Sequence, residues 1–127
     1  MLSTALVFLG AGIGGVLRHG VNQLALKWLG MSFPYGTMAI NILGSGVMGL
    51  VAGFFAFKAG EGWPPHTRLF LATGILGGFT TFSAFSLDAV LLWERGEAMM
   101  AAFYVVGSVA LSLLALVAGL SIVRGLT

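Results

Sequence analysis

Thr37, Asn41 and Ser45 fall at four-residue intervals, and Tyr104, Ser108 and Ser112 repeat that spacing further along the chain. On helices, each set would lie on one face. Asn41 is the strongest member, because a carboxamide in hydrocarbon must find partners and supplies two donors. Each set can form one wall of a polar track. Such hydroxyls can also bond their own helix backbone or tie helices together, but two aligned stripes favour a track.

A second concentration of chemistry is Gly74-Ile-Leu-Gly77-Gly78-Phe79-Thr80-Thr81-Phe82-Ser83, inside an uncharged run from Leu69 to Leu87. Adjacent glycines weaken a helix by about 1 kcal/mol each relative to alanine. Thr80, Thr81 and Ser83 offer hydroxyls that can cap a restarted helix. The stretch therefore predicts a helix broken at membrane depth, tolerated only where the freed backbone is buried in protein or lines a cavity. Carbonyls closing the first half suit a cation, and N–H groups opening the second half suit an anion. Glycine-mediated packing without a break is the alternative, and the run of hydroxyls weighs against it.

Phe82 and Phe85 share a face of the second half-helix, where positive ring edges could border the passage of a small anion. Phenylalanine more often fills a core or faces lipid. Gly44, Gly46, Gly49 and Gly53, with Ser45, form small-residue surfaces that admit another helix closely. Arg18 interrupts an apolar first segment; it either snorkels to the interface or attracts anions in a water-filled vestibule. Asp88 is expected one to two turns from the end of its helix, where it could pair with a nearby base. No helix pairs His with Glu at metal-ligand spacing, no nucleophile has an evident base, and no phosphate loop is present, so an enzyme is not expected.

The elements that must position these residues are set by composition. The chain has 127 residues, 58% of them hydrophobic and 8% charged. A soluble domain carries about 25% charged residues. Trp28 to Phe57 and Ala98 to Val123 contain no Asp, Glu, Lys or Arg, and each run exceeds the roughly 20 residues that cross a bilayer. An all-α integral membrane protein follows, with a single domain of four spans near 2–27, 34–57, 67–93 and 98–123. The lipid bilayer is its solvent. Pro34 suits a first helical turn, residues 58–66 are the longest polar connection, and short connections make consecutive helices antiparallel neighbours. Leu2 to Leu17 has no basic cluster before it and reads as a retained span, not a leader. The absence of cysteine disfavours a disulfide scaffold, and a net charge of +2 disfavours a nucleic-acid partner.

Lysine and arginine near span ends usually set orientation. Here Lys58, Arg68 and Arg124 fall to one face and Lys27 and Arg95 to the other, joined by Arg18 if it reaches that way; three against two or three is no bias. Either the chain inserts both ways, allowing two copies to pair head to tail, or the cell orients it by other means.

Over essentially its full length the sequence resembles the fluoride-channel family called Fluc or CrcB. The resemblance is carried by GAGIGGVLRHG, PYGTMAINILGSGVMG, TGILGGFTTFSAFS and the Tyr104, Ser108, Ser112 series. It implies a passive fluoride-selective channel that exports cytoplasmic fluoride, in the bacterial inner membrane, built as an antiparallel, dual-topology homodimer with two pores. It also implies a structural Na+ at the dimer centre, held by the backbone carbonyls of Gly77 and Thr80 from each subunit. By motif match Asn41, Phe82, Phe85, Tyr104, Ser108 and Ser112 line the fluoride path, Arg18 stands in the vestibule, and Thr37, Thr81 and Ser83 supply further hydroxyls. The competing reading is a small proton-coupled multidrug exporter, which needs a membrane-embedded carboxylate. Asp88 is the sole candidate for it, and segment one has no acid at all. A non-transporting assembly subunit would leave the polar stripes without a role.

Overall fold

The computed structural model describes residues 1–58 and 65–126. Most of the connection at 58–66, including Glu61 and Trp63, lies outside the described residues. Helix α1 spans Leu2–Leu29 and helix α2 spans Tyr35–Gly53, the latter extended by a π-helical turn over Phe54–Lys58. Helix α3 covers residues 65–79; its ends are α-helical, and its middle, Leu69–Leu76, is wound as a π-helix. Helix α4 runs Phe82–Glu94 and α5 runs Ala98–Leu126. Four stretches are long and apolar enough to cross a membrane: Leu2–Leu29, Tyr35–Ala56, Pro65–Glu94 and Ala98–Gly125. Pro34 sits at the N-cap of α2, one position ahead of the first turn where it was expected.

The largest packing seams join helices that are not consecutive. Helix α1 lies along α3, and α2 lies along α5. Connection length predicts pairing of sequence neighbours, but glycine placement decides which surfaces can approach. A Cβ on Gly78 would stand 2.7 Å from the Ala11 Cα, and one on Gly119 would stand 2.7 Å from the Leu50 nitrogen. Both seams therefore run backbone against backbone, as small residues permit between membrane helices. The turns need glycine for another reason: Gly30 after α1 and Gly96 before α5 have φ of 82° and 81°, which side chains with a Cβ rarely adopt.

Large apolar side chains such as Phe8, Val16, Leu113 and Ile122 point outward. That surface suits lipid in place of water. Among the described residues, a buried hydrophobic cluster gathers Phe33, Phe85, Leu92, Ala101 and Tyr104, with Met38, Ala89 and Met100 packed against it. It joins the connection before α2 to α4 and α5, and so sets the position of the residues described next.

Candidate functional site

The interruption in the third span falls at two threonines and not at the glycine pair. Gly77 is helical, at φ −62° and ψ −37°. The chain turns extended at Thr80 (φ −77°, ψ 155°) and Thr81 (φ −149°, ψ 122°), and α4 starts at Phe82. The expected weakness of adjacent glycines is offset by packing: Gly78 lies on the backbone of Ala11. Two β-branched residues, the second of which caps α4, leave the helix more easily.

Local side chains satisfy the freed backbone. The Thr81 N–H donates to Asn41 Oδ1 at 2.8 Å, and Asn41 Nδ2 donates to the Thr81 carbonyl at 2.9 Å. Asn41 thus pairs with Thr81 as a neighbouring strand would, across 40 positions of sequence. The Thr81 hydroxyl accepts from the Ala84 N–H at 3.2 Å and caps α4. The Thr80 hydroxyl and N–H both donate to the Leu76 carbonyl at 3.0 Å. In a continuous helix the Thr81 N–H would serve the carbonyl of Gly77; here Asn41 takes that donor.

An open cleft of about 310 Å³ lies over this pairing. It is lined by Asn41 and Ser45 of α2, Thr80 and Thr81 of the break, Phe82 and Phe85 of α4, and Ser108 and Ser112 of α5. No residue lining it carries a charge. Ser108 is 3% exposed, and its Oγ has no hydrogen-bond partner among the described residues. A buried hydroxyl without a partner costs about 1–3 kcal/mol, so the Ser108 hydroxyl is available to a group that enters the cleft. Phe82, the first residue of α4, lines the cleft, and helix N-termini favour negative charge.

The rings of Phe82 and Phe85 lie 5.6 Å apart, tilted by 46°. Phe85 is buried, whereas Phe82 is 78% exposed on this single chain.

Each polar stripe divides between two places. Asn41 and Ser45 reach the cleft with Ser108 and Ser112, but Thr37 and Tyr104 do not. Tyr104 is fully buried, and its hydroxyl donates to Asp88 Oδ2 at 3.3 Å. Thr37 lines a second cavity together with Asp88. Asp88 was expected to pair with a base; its partner is the Tyr104 phenol. Arg95, which borders the same second cavity, pairs with Glu97 at 3.0 Å and donates to the Ser32 carbonyl at 3.1 Å.

The remaining candidates lie off the cleft. Ser83 is exposed, with its Oγ 3.4 Å from that of Thr81. Arg18 is half-buried on α1 and does not line the cleft. Gly77 is exposed, and a Cβ there would meet only the Ala72 carbonyl at 3.6 Å.

Sequence reasoning missed Phe33. This connection residue is 5% exposed, and its ring meets that of Tyr104 edge-on at 5.5 Å and 89°. A signal was available: Phe33 precedes the cap of α2, and Met38, four residues into the helix, packs against the same cluster. That spacing is the hydrophobic staple.

The family model for the CrcB-like protein, Camphor Resistance (CrcB), matches residues 5–120. Among curated proteins, the fluoride-specific ion channel FluC of Rhodopseudomonas palustris (strain BisB5) is 59% identical over 122 residues, covering 96% of this chain and 97% of its own. FluC of Methylobacterium nodulans is 60% identical over 124 residues, covering 98% of each chain. FluC of Beijerinckia indica is 50% identical over 127 residues and covers both chains completely.

Proposed function

Since the chain belongs to the CrcB family, we propose that it is a fluoride-specific ion channel, a multi-pass membrane protein that lets cytoplasmic fluoride leave down its gradient. It is a channel and not an enzyme. The observation that carries the reading is the uncharged cleft in which an unpartnered Ser108 hydroxyl and the start of α4 stand together. Fluoride holds its water tightly, so a selective path must replace that water with donors and still let go. Hydroxyls of Ser108 and Ser112, the uncommitted N–H of Asn41 and the ring edges of Phe82 and Phe85 are donors of that modest kind. A fixed arginine or lysine in the cleft would bind the anion more strongly and release it more slowly.

Around this path the finer architecture is part of the same proposal. The interruption at Thr80 and Thr81 lies at mid-membrane depth. Two copies pair antiparallel, in dual topology, in a bacterial inner membrane, each contributing to two pores. The balanced basic residues, the exposed Phe82 and the exposed Gly77 support that assembly. Thr37, Thr81, Ser83 and Tyr104 extend the polar surroundings of the path, and Arg18 serves a vestibule. A structural Na+ fits the site: the carbonyl of Gly77 has lost the donor that a continuous helix would provide, and the next turn ends in extended backbone at Thr80. The carbonyls of Gly77 and Thr80 from both copies would hold it, and its contribution is to fix the junction of the two subunits.

The deciding experiment is efflux from liposomes. Vesicles containing the purified protein and loaded with fluoride should empty once a counter-ion pathway is opened, while chloride-loaded vesicles should retain their contents. Equal release of chloride would refute selectivity.

A further inference from the structure

We infer that Phe33, in the connection between α1 and α2, is a positioning residue for the fluoride path and acts on it through Tyr104. The inference rests on the channel reading above. Four rings form a continuous series from the end of the bundle to the cleft. Phe33 meets Tyr104 edge-on at 5.5 Å, Tyr104 meets Phe85 at 5.2 Å and 41°, and Phe85 meets Phe82 at 5.6 Å. The last two line the cleft; the first two do not touch it.

Tyr104 has no freedom of its own at either end. Its hydroxyl is held by Asp88, and its ring is fully buried between Phe33 and Phe85. A ring held by one polar tip can still swing about that tip. The edge-on contact from Phe33 removes the swing, and the tilt of Phe85 follows. Side chains in a packed interior transmit such displacements because there is little free volume to absorb them.

Phe33 is itself anchored from two directions. Next to it, the Ser32 carbonyl accepts from Arg95, which is held in turn by Glu97 in the turn after α4. On its other side the Phe33 carbonyl accepts from the Tyr35 N–H at 2.8 Å, and its ring lies 4.9 Å from that of Tyr35. A connection required only to join two helices needs none of this. The arrangement makes the connection a fixed wedge behind the aromatic wall of the path.

The test is a double-mutant cycle on fluoride efflux from liposomes, using Phe33→Leu, Tyr104→Leu and the pair. Phe33→Leu keeps an apolar side chain and removes the ring. Fluoride efflux should fall about tenfold, the size of one aromatic pair, with the thermal midpoint in detergent within a few degrees of wild type. In the Tyr104→Leu background the same change should have no further effect, because coupled residues are not additive. Phe33→Met, unbranched and flexible, fills the seat without a ring and repeats the test should the leucine variant fold poorly. Undiminished efflux in well-folded Phe33→Leu or Phe33→Met would overturn the inference. So would an equal further loss in the Tyr104→Leu background, since Phe33 would then act by some other route. Wild-type vesicles that release no fluoride would instead refute the channel reading on which the inference rests.

Discussion

The side-chain amide of Asn41 forms both hydrogen bonds that the backbone of Thr81 has to offer, at 2.8 and 2.9 Å. An interruption that would otherwise expose a peptide group to an apolar surround is closed by a residue from another helix. Unsatisfied backbone groups cost several kcal/mol in hydrocarbon, so the break and the asparagine have to be understood together.

Asn41→Leu should therefore damage structure before it damages selectivity. Both Thr81 groups would be left unpaired, at about 1–3 kcal/mol each, and a drop in thermal midpoint in detergent is the measurement. Asn41→Asp separates the two duties. It keeps an acceptor for the Thr81 N–H, loses the donor to the Thr81 carbonyl, and places a negative charge beside the path. Fluoride efflux should stop; full efflux in that variant would remove Asn41 from the route.

Ser108→Ala should move stability and throughput in opposite directions. Its hydroxyl is buried without a partner, so deleting it relieves a desolvation cost and should leave stability unchanged or raise it by up to about 1 kcal/mol. Fluoride efflux should fall several-fold in the same preparation. A fall in stability instead would mean that the hydroxyl has a partner in the assembled protein.

Gly77 and Gly78 adjoin in sequence but should respond differently to a methyl group. At Gly78 an added Cβ meets the backbone of Ala11, which cannot move aside as a side chain can, and loss of the folded chain is expected. At Gly77 an added Cβ meets only the Ala72 carbonyl, at an ordinary contact distance of 3.6 Å. Gly77→Ala should leave the fold intact, and Gly77→Val should impair only dimer formation and sodium dependence. Light scattering with and without sodium distinguishes these; a dimer of Gly77→Val that still responds to sodium would contradict the carbonyl assignment.

Asp88→Asn preserves an acceptor for the Tyr104 hydroxyl. Its hydrogen bond is weaker than that to a carboxylate by about half, and fluoride efflux should stay within about threefold of wild type on that account. Asp88→Leu leaves a buried phenol unpaired and should cost about 1–3 kcal/mol of stability. A proton-coupled exporter would show drug antiport abolished by Asp88→Asn, which the channel reading excludes.

Much of the arrangement was legible in residue types and spacing. The uncharged runs implied four spans, and the four-residue periodicity placed Asn41, Ser45, Ser108 and Ser112 on faces that do meet at one cleft. What periodicity lacks is depth along the helix. Thr37 and Tyr104 share those faces but lie a turn too far along, among Asp88 and the aromatic cluster. The glycine pair was read through helix propensity, which ignores neighbours, whereas packing against α1 keeps both glycines helical and moves the interruption to Thr80 and Thr81. Pairing of α1 with α3 was hidden for the same reason: a single sequence shows that a surface is small, but not which other small surface it meets. Phe33 lay in a connection, where side chains are ordinarily solvated, and its staple with Met38 was the one local clue.

The cleft's donors differ in how much else depends on them. Asn41 maintains the scaffold, so natural variation there would be filtered by folding before any change in ion preference reached selection. Ser108 maintains nothing that the bare chain reveals. Drift between related channels in how readily they discriminate halides would accordingly accumulate on α5 and spare α2.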